Sequence, residues 1–193
     1  MHACNMLPSN PIERRGPASV ALLELGTGHY RAAAEYVRDL PYGRNRHAND
    51  PLIVLREQKG TCSTKHALLR MLASEQNLPI RLMLGIYEMD ERNTPGIGTV
   101  LKEYGVSCVP EAHCYLVYRG LRIDATRNVH DSSEPIGVFL IEQEITPDQV
   151  TEYKRRWHQQ FLQQWLRERP RLGLDLNQLW QIREACIASL SGA

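Results

Sequence analysis

The sequence predicts an α+β domain, and three observations lead to that class. The chain has 193 residues, a length typical of one domain. The predicted elements run in blocks, with helices first, then strands, then helices, and such segregation is typical of α+β folds. Apolar residues make up 42% of the chain and charged residues 23%, which excludes a disordered or collagen-like chain.

The first part of the chain is predicted to be helical after a loose start. Residues 1–17 are polar and rich in proline, and we expect them to be loose. Alanines favour a helix over 30–40, which Pro41 would end. Helical spacing returns over 62–76 with a broad apolar side, and Thr61 is suited to cap the start of that helix.

Strands are predicted next, and helices return at the end of the chain. Residues 80–87, 113–118 and 121–125 have the composition of strands, and 138–141 is a shorter run of the same kind. Beyond Pro147 the pattern is helical. The large side chains Trp157, Phe161 and Trp165 are four apart, so we expect them on one buried face, followed by a last helix over 177–190.

A tight hairpin is predicted where Arg119-Gly120 separates two of the strands. If these two residues form the loop, Tyr118 pairs with Leu121. Side chains alternate along a strand, so His113 and Asp124 then share one face as diagonal neighbours within reach of each other.

Charge and cysteine content narrow the classes of function. Lys and Arg total 23 against 22 Asp and Glu, which gives no support for nucleic-acid binding. No apolar run is long enough to span a membrane, and the first residues lack the apolar core of a secretory signal. We therefore expect a cytoplasmic protein without a membrane partner, whose five widely spaced cysteines are free thiols.

Cys62 is the leading candidate for chemistry. It lies at the predicted first turn of a helix, where the helix dipole and unpaired N–H groups favour a thiolate. A thiolate nucleophile needs an imidazole to exchange its proton and an acid to orient that imidazole, and His113 and Asp124 suit these roles. The alternative is a buried core cysteine beside an unrelated surface His and Asp.

These residues together resemble the transglutaminase-like superfamily, whose members share a papain-like acyl-transfer fold. The segment 60–69 resembles its cysteine segment, and 113–118 and 121–126 resemble its histidine and aspartate strands. The three residues occur in the order that the superfamily uses: Cys62, His113, Asp124. The resemblance covers about residues 30–127 and implies a cysteine-bearing helix packed on a small antiparallel sheet that carries the histidine and aspartate.

The resemblance also implies a domain organisation and an activity. Residues 18–146 would form the catalytic domain. Residues 147–193 lie beyond the common core of the superfamily, and from their apolar stripe we expect them to form a helical extension packed on that domain. The activity would be cleavage or transfer of an acyl group from an amide, peptide or isopeptide-like bond through a Cys62 thioester, with Gln58 as a candidate oxyanion donor. No cofactor or metal is implied. The substrate would be a peptide, a protein or a small amide, and the oligomeric state is not set.

Three alternatives remain open from the residues. The first is an arylamine N-acetyltransferase-like enzyme, although Arg56 is not followed by the paired glycines of such enzymes. The second is a non-catalytic binding module that keeps the fold. The third is a zinc site whose spacing fits no standard finger, built from Cys62, His66, His113 and Cys114.

Overall fold

Seven helices and four strands form the part of the chain that the structure, a computed structural model, describes: residues 3–126 and 136–190. The helices are α1 (Pro17–Glu24), α2 (Tyr30–Asp39), α3 (Ile53–Glu57), α4 (Cys62–Glu75), α5 (Gly98–Glu103), α6 (Glu152–Arg167) and α7 (Leu176–Ser189). The strands are β1 (Ile80–Met89), β2 (Val109–Tyr118), β3 (Leu121–Ile123) and β4 (Ile141–Ile145). The fold is mixed α+β, and within these residues no helix is long and apolar enough to cross a membrane.

The four strands form one sheet in the order β3-β2-β1-β4. Strands β2 and β3 are antiparallel, and Tyr118 pairs with Leu121. The loop residues Arg119 and Gly120 have φ values of 50° and 79°, the left-handed pair that a two-residue type I′ hairpin requires. The predicted hairpin register is therefore confirmed, although β3 ends at Ile123.

The described residues divide into two compact units, and the first comprises residues 3–84, 114–126 and 143–151. Its central helix is α4, which packs against α1, α2, α3 and a 3-10 turn over Pro147–Val150. The apolar side of α4 is fully buried and includes Leu68, Leu69 and Leu72. Each of these leucines contributes about 1.5–3 kcal/mol through burial, so α4 is the core of this unit.

The N-terminal segment, which we expected to be loose, is instead packed into the first unit. Cys4 and Leu7 are fully buried, and Ile12 is nearly so. The guanidinium of Arg31 donates two hydrogen bonds to the Leu7 carbonyl, at 2.9 and 2.7 Å. The sequence pattern missed this packing because the apolar residues are isolated between prolines and polar residues. Residues 1 and 2 of the segment lie outside the described residues.

The second unit comprises residues 85–113, 136–142 and 152–190, in which α7 packs against α5 and α6. The buried face of α6 differs from the predicted stripe: Trp165 is buried as expected, but Trp157 and Phe161 are only partly buried. The buried residues of α6 are Lys154, His158, Leu162 and Trp165. The face is offset because buried polar groups on this helix find partners; the His158 ring nitrogen Nε2 lies 2.8 Å from the Pro110 carbonyl oxygen.

Candidate active site

Cys62 is the first residue of α4, as the sequence predicts. Thr61 precedes it in an extended conformation, and the Thr61 N–H donates to the Thr64 hydroxyl oxygen at 3.1 Å. The Cys62 residue is 7% exposed. Its Sγ lies 3.9 Å from the Ser63 Oγ, which is also 3.8 Å from the Cys114 Sγ. The thiol thus lies at a helix N-terminus, where the dipole stabilises negative charge.

The loop ahead of Cys62 is held in place by Asn45. Its amide nitrogen donates to the Lys59 carbonyl and to the Glu57 carboxylate, both at 3.0 Å, and its amide oxygen accepts from the Thr64 hydroxyl at 2.7 Å. The hydrogen bond from Asn45 lowers the pKa of Glu57. Asn45 lies in a polar loop, and the sequence carries no signal that distinguishes it from the other residues there.

Gly60 allows this loop to approach α4 closely. It forms a parallel bridge with Tyr42. A Cβ atom at residue 60 would lie 2.9 Å from the Lys65 Cγ and 2.9 Å from the Thr64 Oγ1. Real Cβ atoms essentially never come so close, so only glycine fits here without a local shift.

Gln58 lies in the same loop in a left-handed conformation, with φ 51° and ψ 37°. This region is uncommon for residues other than glycine. The side-chain amide is oriented at both ends: its nitrogen donates to the Leu55 carbonyl at 2.5 Å, and its oxygen accepts from the Tyr36 hydroxyl at 2.8 Å. An amide carries two N–H donors, and the Leu55 carbonyl uses one of them.

His66 is fully buried one turn along α4 from Cys62. Its Nδ1 lies 2.8 Å from the Cys62 carbonyl oxygen, and its Nε2 accepts from the Ala125 N–H at 2.8 Å. A carbonyl only accepts and an amide N–H only donates, so the ring carries its proton on Nδ1 and is neutral. Both ring nitrogens are engaged by the backbone, so His66 does not fit the zinc alternative.

Lys65 is also fully buried, and its ammonium group is surrounded by backbone carbonyls. The Nζ donates to the carbonyl oxygens of Arg38, Leu40 and Thr126, at 3.0, 2.5 and 2.7 Å. A buried charge is tolerated only when it is hydrogen-bonded in this way. The sequence does not distinguish Lys65 as a buried residue, because a lysine on a helix usually lies on the solvated face.

Asp124 follows β3, and its side chain is 44% exposed. Its Oδ1 accepts from the N–H of Thr126 at 2.8 Å and from the Thr126 hydroxyl. The same oxygen lies 3.7 Å from the His66 Nε2. Within the first unit, His66 therefore links the start of α4, which carries Cys62, to the segment that carries Asp124.

His113 lies on β2 in the second unit and is 8% exposed. Its ring meets the Tyr87 ring edge-on, with centroids 6.0 Å apart and planes at 81°. Tyr87 is itself held by an edge-on contact with Phe139 at 6.0 Å and by a hydroxyl contact with the Thr94 Oγ1 at 3.1 Å. The imidazole thus packs against a well-anchored aromatic ring.

The other thiols differ from Cys62 in their surroundings. Burial raises the pKa of Cys4 and of Cys186 to about 11. Burial, with the nearby Glu88 carboxylate, also raises the pKa of Cys108. Cys114 is fully buried. Because a protonated thiol is a poor nucleophile, Cys4, Cys108 and Cys186 are expected to be unreactive at neutral pH.

Among residues 3–126 and 136–190, no three His, Cys, Asp or Glu side chains are grouped so that they could hold a metal ion. No family model, no curated protein and no solved structure matches the chain.

Proposed function

We propose that this protein is a transglutaminase-like cysteine enzyme that cleaves or transfers an acyl group from an amide bond. Cys62 is the nucleophile, His113 exchanges the proton and Asp124 orients His113. The substrate class is a peptide, a protein or a small amide. The observation that carries the proposal is the placement of Cys62 as the first residue of α4, in the same unit as Asp124.

The chemistry proceeds in two steps. His113 takes the proton of the Cys62 thiol, and the thiolate attacks the acyl carbon. The C–N bond then breaks, and the amine leaves with the proton that the His113 imidazolium returns. A water or a second amine then attacks the thioester and gives its proton to His113. The C–S bond breaks, the Cys62 thiolate leaves and takes the proton back from His113, and hydrolysis or transamidation is complete. The developing oxyanion of each step is stabilised by the backbone N–H of Cys62 and the amide of Gln58.

Two further features of the structure support this proposal. The Gln58 side chain is oriented by Tyr36 and Leu55, as a preorganised oxyanion donor should be. The confirmed hairpin register between β2 and β3 is the one from which we predicted that His113 and Asp124 share a face.

Selective labelling tests whether Cys62 is the reactive thiol. Brief treatment of the full chain with iodoacetamide at pH 7, followed by peptide mass mapping, should label Cys62 before Cys4, Cys108, Cys114 and Cys186. Cys62→Ala should abolish the fast label, and Cys186→Ala should leave it unchanged. Faster labelling of Cys108, Cys114 or Cys186 than of Cys62 would contradict the assignment.

Acyl transfer itself is tested with an activated ester. p-Nitrophenyl acetate should give a burst of p-nitrophenol and an acetyl group on Cys62, and both should be lost in Cys62→Ala. Partition of the thioester between water and an added primary amine then separates hydrolysis from transamidation. Acetyl transfer from acetyl-CoA to an aromatic amine would favour the arylamine N-acetyltransferase alternative. A full chain that labels at Cys62 but never forms the thioester would favour the binding module.

A further inference from the structure

We infer that His66 is a positioning residue that sets the place of Asp124 relative to the start of α4. The inference rests on the proposed function, because it assigns a role to Asp124 in the chemistry of Cys62. It concerns only residues of the first unit.

The hydrogen bonds of His66 fix its tautomer. The ring lies between two backbone groups whose roles are fixed, the Cys62 carbonyl at Nδ1 and the Ala125 N–H at Nε2, each at 2.8 Å. Only the neutral ring with its proton on Nδ1 satisfies both contacts. The 3.7 Å separation between Nε2 and the Asp124 carboxylate is then not a hydrogen bond. His66 therefore acts on Asp124 through the backbone of the next residue, Ala125.

The segment that follows Asp124 is attached to α4 at a second place. Lys65, the neighbour of His66 on α4, donates to the carbonyl oxygen of Thr126 at 2.7 Å. Two consecutive residues of one helix thus hold two consecutive residues of the segment, at the amide of Ala125 and at the carbonyl of Thr126. These two attachments fix both the position and the orientation of the backbone there.

The backbone that α4 holds at Ala125 and Thr126 is in turn joined to the Asp124 carboxylate. Asp124 accepts from the N–H and the hydroxyl of Thr126, so its carboxylate turns toward a residue that Lys65 holds. The Asp124 side chain is 44% exposed, so its hydrogen bonds are important for its orientation. The placement of the carboxylate therefore depends on the bonds that α4 makes, and His66 makes the bond nearest to it.

The experiment separates the two hydrogen bonds of His66 with two conservative variants. In His66→Gln the side-chain amide reaches the place of Nε2 and can accept from Ala125. In His66→Asn the amide reaches the place of Nδ1 and can donate to the Cys62 carbonyl, but the Ala125 N–H loses its acceptor. Amide hydrogen exchange should become faster at Ala125 in His66→Asn and stay close to wild type in His66→Gln.

Reactivity is then measured as the alkylation rate of Cys62 by iodoacetamide between pH 5 and 9, in the full chain. Asp124→Ala is the reference, and we expect it to slow alkylation at pH 7 by about tenfold. His66→Asn should show the same loss of rate and the same pH profile, whereas His66→Gln should keep most of the rate. The double variant of His66→Asn and Asp124→Ala should be alkylated no more slowly than Asp124→Ala alone. Non-additivity of this kind is expected when two residues act as a unit.

The failures of the inference and of the proposed function differ. If Asp124→Ala slows alkylation but His66→Asn does not, although Ala125 exchanges faster, the positioning role is wrong and the triad stands. If His66→Gln loses as much rate as His66→Asn, keeping the acceptor for the Ala125 N–H does not preserve reactivity, and the inference is overturned. If wild-type Cys62 reacts no faster than a cysteine in a short peptide, the proposed function fails.

Discussion

At the scale of single residues, the strained loop ahead of Cys62 is the feature that most needs an explanation. Gln58 adopts a left-handed conformation that glycine would adopt without strain. Strain of this kind persists only where surrounding contacts impose it, and it is often found at functional sites. Here the chain ends α3 at Gln58 and turns to the bridge between Gly60 and Tyr42, and the hydrogen bonds from Tyr36 and to Leu55 orient an amide close to the nucleophile in sequence.

Replacing Gln58 separates a role in oxyanion stabilisation from a role in folding. Gln58→Gly relieves the backbone strain, so we expect the free energy of unfolding to change by less than about 1 kcal/mol. The same variant should slow acylation by p-nitrophenyl acetate by about a hundredfold, because a donor to the oxyanion is lost. Alkylation of Cys62 by iodoacetamide forms no oxyanion, so its rate should be unchanged.

Gln58→Ala is the matched control for that prediction. It also removes the amide but keeps the strained conformation, so acylation should slow equally while the free energy of unfolding, measured in urea, falls. Equal loss of acylation and of alkylation in Gln58→Gly would show instead that the loop had moved as a whole.

The roles of His113 and Asp124 predict unequal effects on Cys62. His113 exchanges the proton, whereas Asp124 only orients the His113 imidazole. His113→Ala should therefore slow alkylation at pH 7 by about a hundredfold, and Asp124→Ala should slow it by less. His47→Ala, which changes an exposed histidine, serves as the control and should have no effect. An unchanged alkylation rate in His113→Ala would show that the thiol is activated by another group.

At the scale of secondary-structure elements, the sequence predicted the helix and the hairpin that depend on interactions between residues close together in the chain. Helix α4 and the β2–β3 hairpin carry their own sequence signals, a threonine suited to cap the helix at residue 61 and the Arg119-Gly120 pair, and both elements begin or turn where predicted. Helix α5 was missed, and the run 138–141 became a strand only from Ile141 onward. Both elements have partners far away in sequence: α5 packs against α7, and the Leu140 N–H donates to the Ile86 carbonyl.

The candidate site was predicted only in part for the same reason. Cys62 and His113 could be placed from the sequence because each lies in a recognisable element, whereas Asp124 lies just past the end of β3. The contacts around them could not, because Asn45 and Lys65 act through backbone groups distant in sequence. Polar residues of this kind leave no periodic pattern.

The buried face of α6 yields a prediction about Trp165. The ring is 6% exposed, the Arg169 guanidinium lies 4.4 Å from the ring centroid, and among the described residues the indole Nε1 has no hydrogen-bond partner. Trp165→Ala should lower the free energy of unfolding by about 3–5 kcal/mol through the cavity that it leaves. Trp165→Phe should cost clearly less, because it also removes an unsatisfied buried donor.

Urea denaturation of both variants at one pH measures the difference. Phe161→Ala is the comparison on the same helix, and we expect a smaller loss than for Trp165→Ala, because Phe161 is only partly buried. Equal losses of stability for Trp165→Ala and Phe161→Ala would indicate that the buried face of α6 is the predicted stripe of Trp157, Phe161 and Trp165.

At the scale of the whole molecule, ionisable groups inside the second unit make stability depend on pH. Glu111 and Arg183 form a buried bidentate pair, with distances of 2.6 and 2.7 Å. Burial alone would raise the pKa of Glu111, but the charge and hydrogen bonds of Arg183 outweigh it and lower that pKa. Burial lowers the pKa of His158, against the opposing effect of Glu111.

Both shifts have the same sign for stability. The unfolded chain takes up a proton at residue 158 near pH 6.5, at a pH where the folded protein does not, so the free energy of unfolding should begin to fall as the pH drops through 6.5. The Glu111 contribution is present above pH 4.5 and is lost as the pH falls below it toward the lowered pKa of the folded state.

His158→Gln isolates the first of these effects. Glutamine can donate to the Pro110 carbonyl in place of Nε2 but does not titrate, so the variant should lose the His158 share of the decline below pH 6.5, which is at most about 1.4 kcal/mol per pH unit. Urea denaturation at pH 8, 6.5 and 5.5 measures the slope. His47→Gln removes an exposed histidine and should keep the wild-type slope. If His158→Gln and wild type decline in parallel, His158 accepts its proton equally well in the folded protein, and another group must account for the loss of stability in acid.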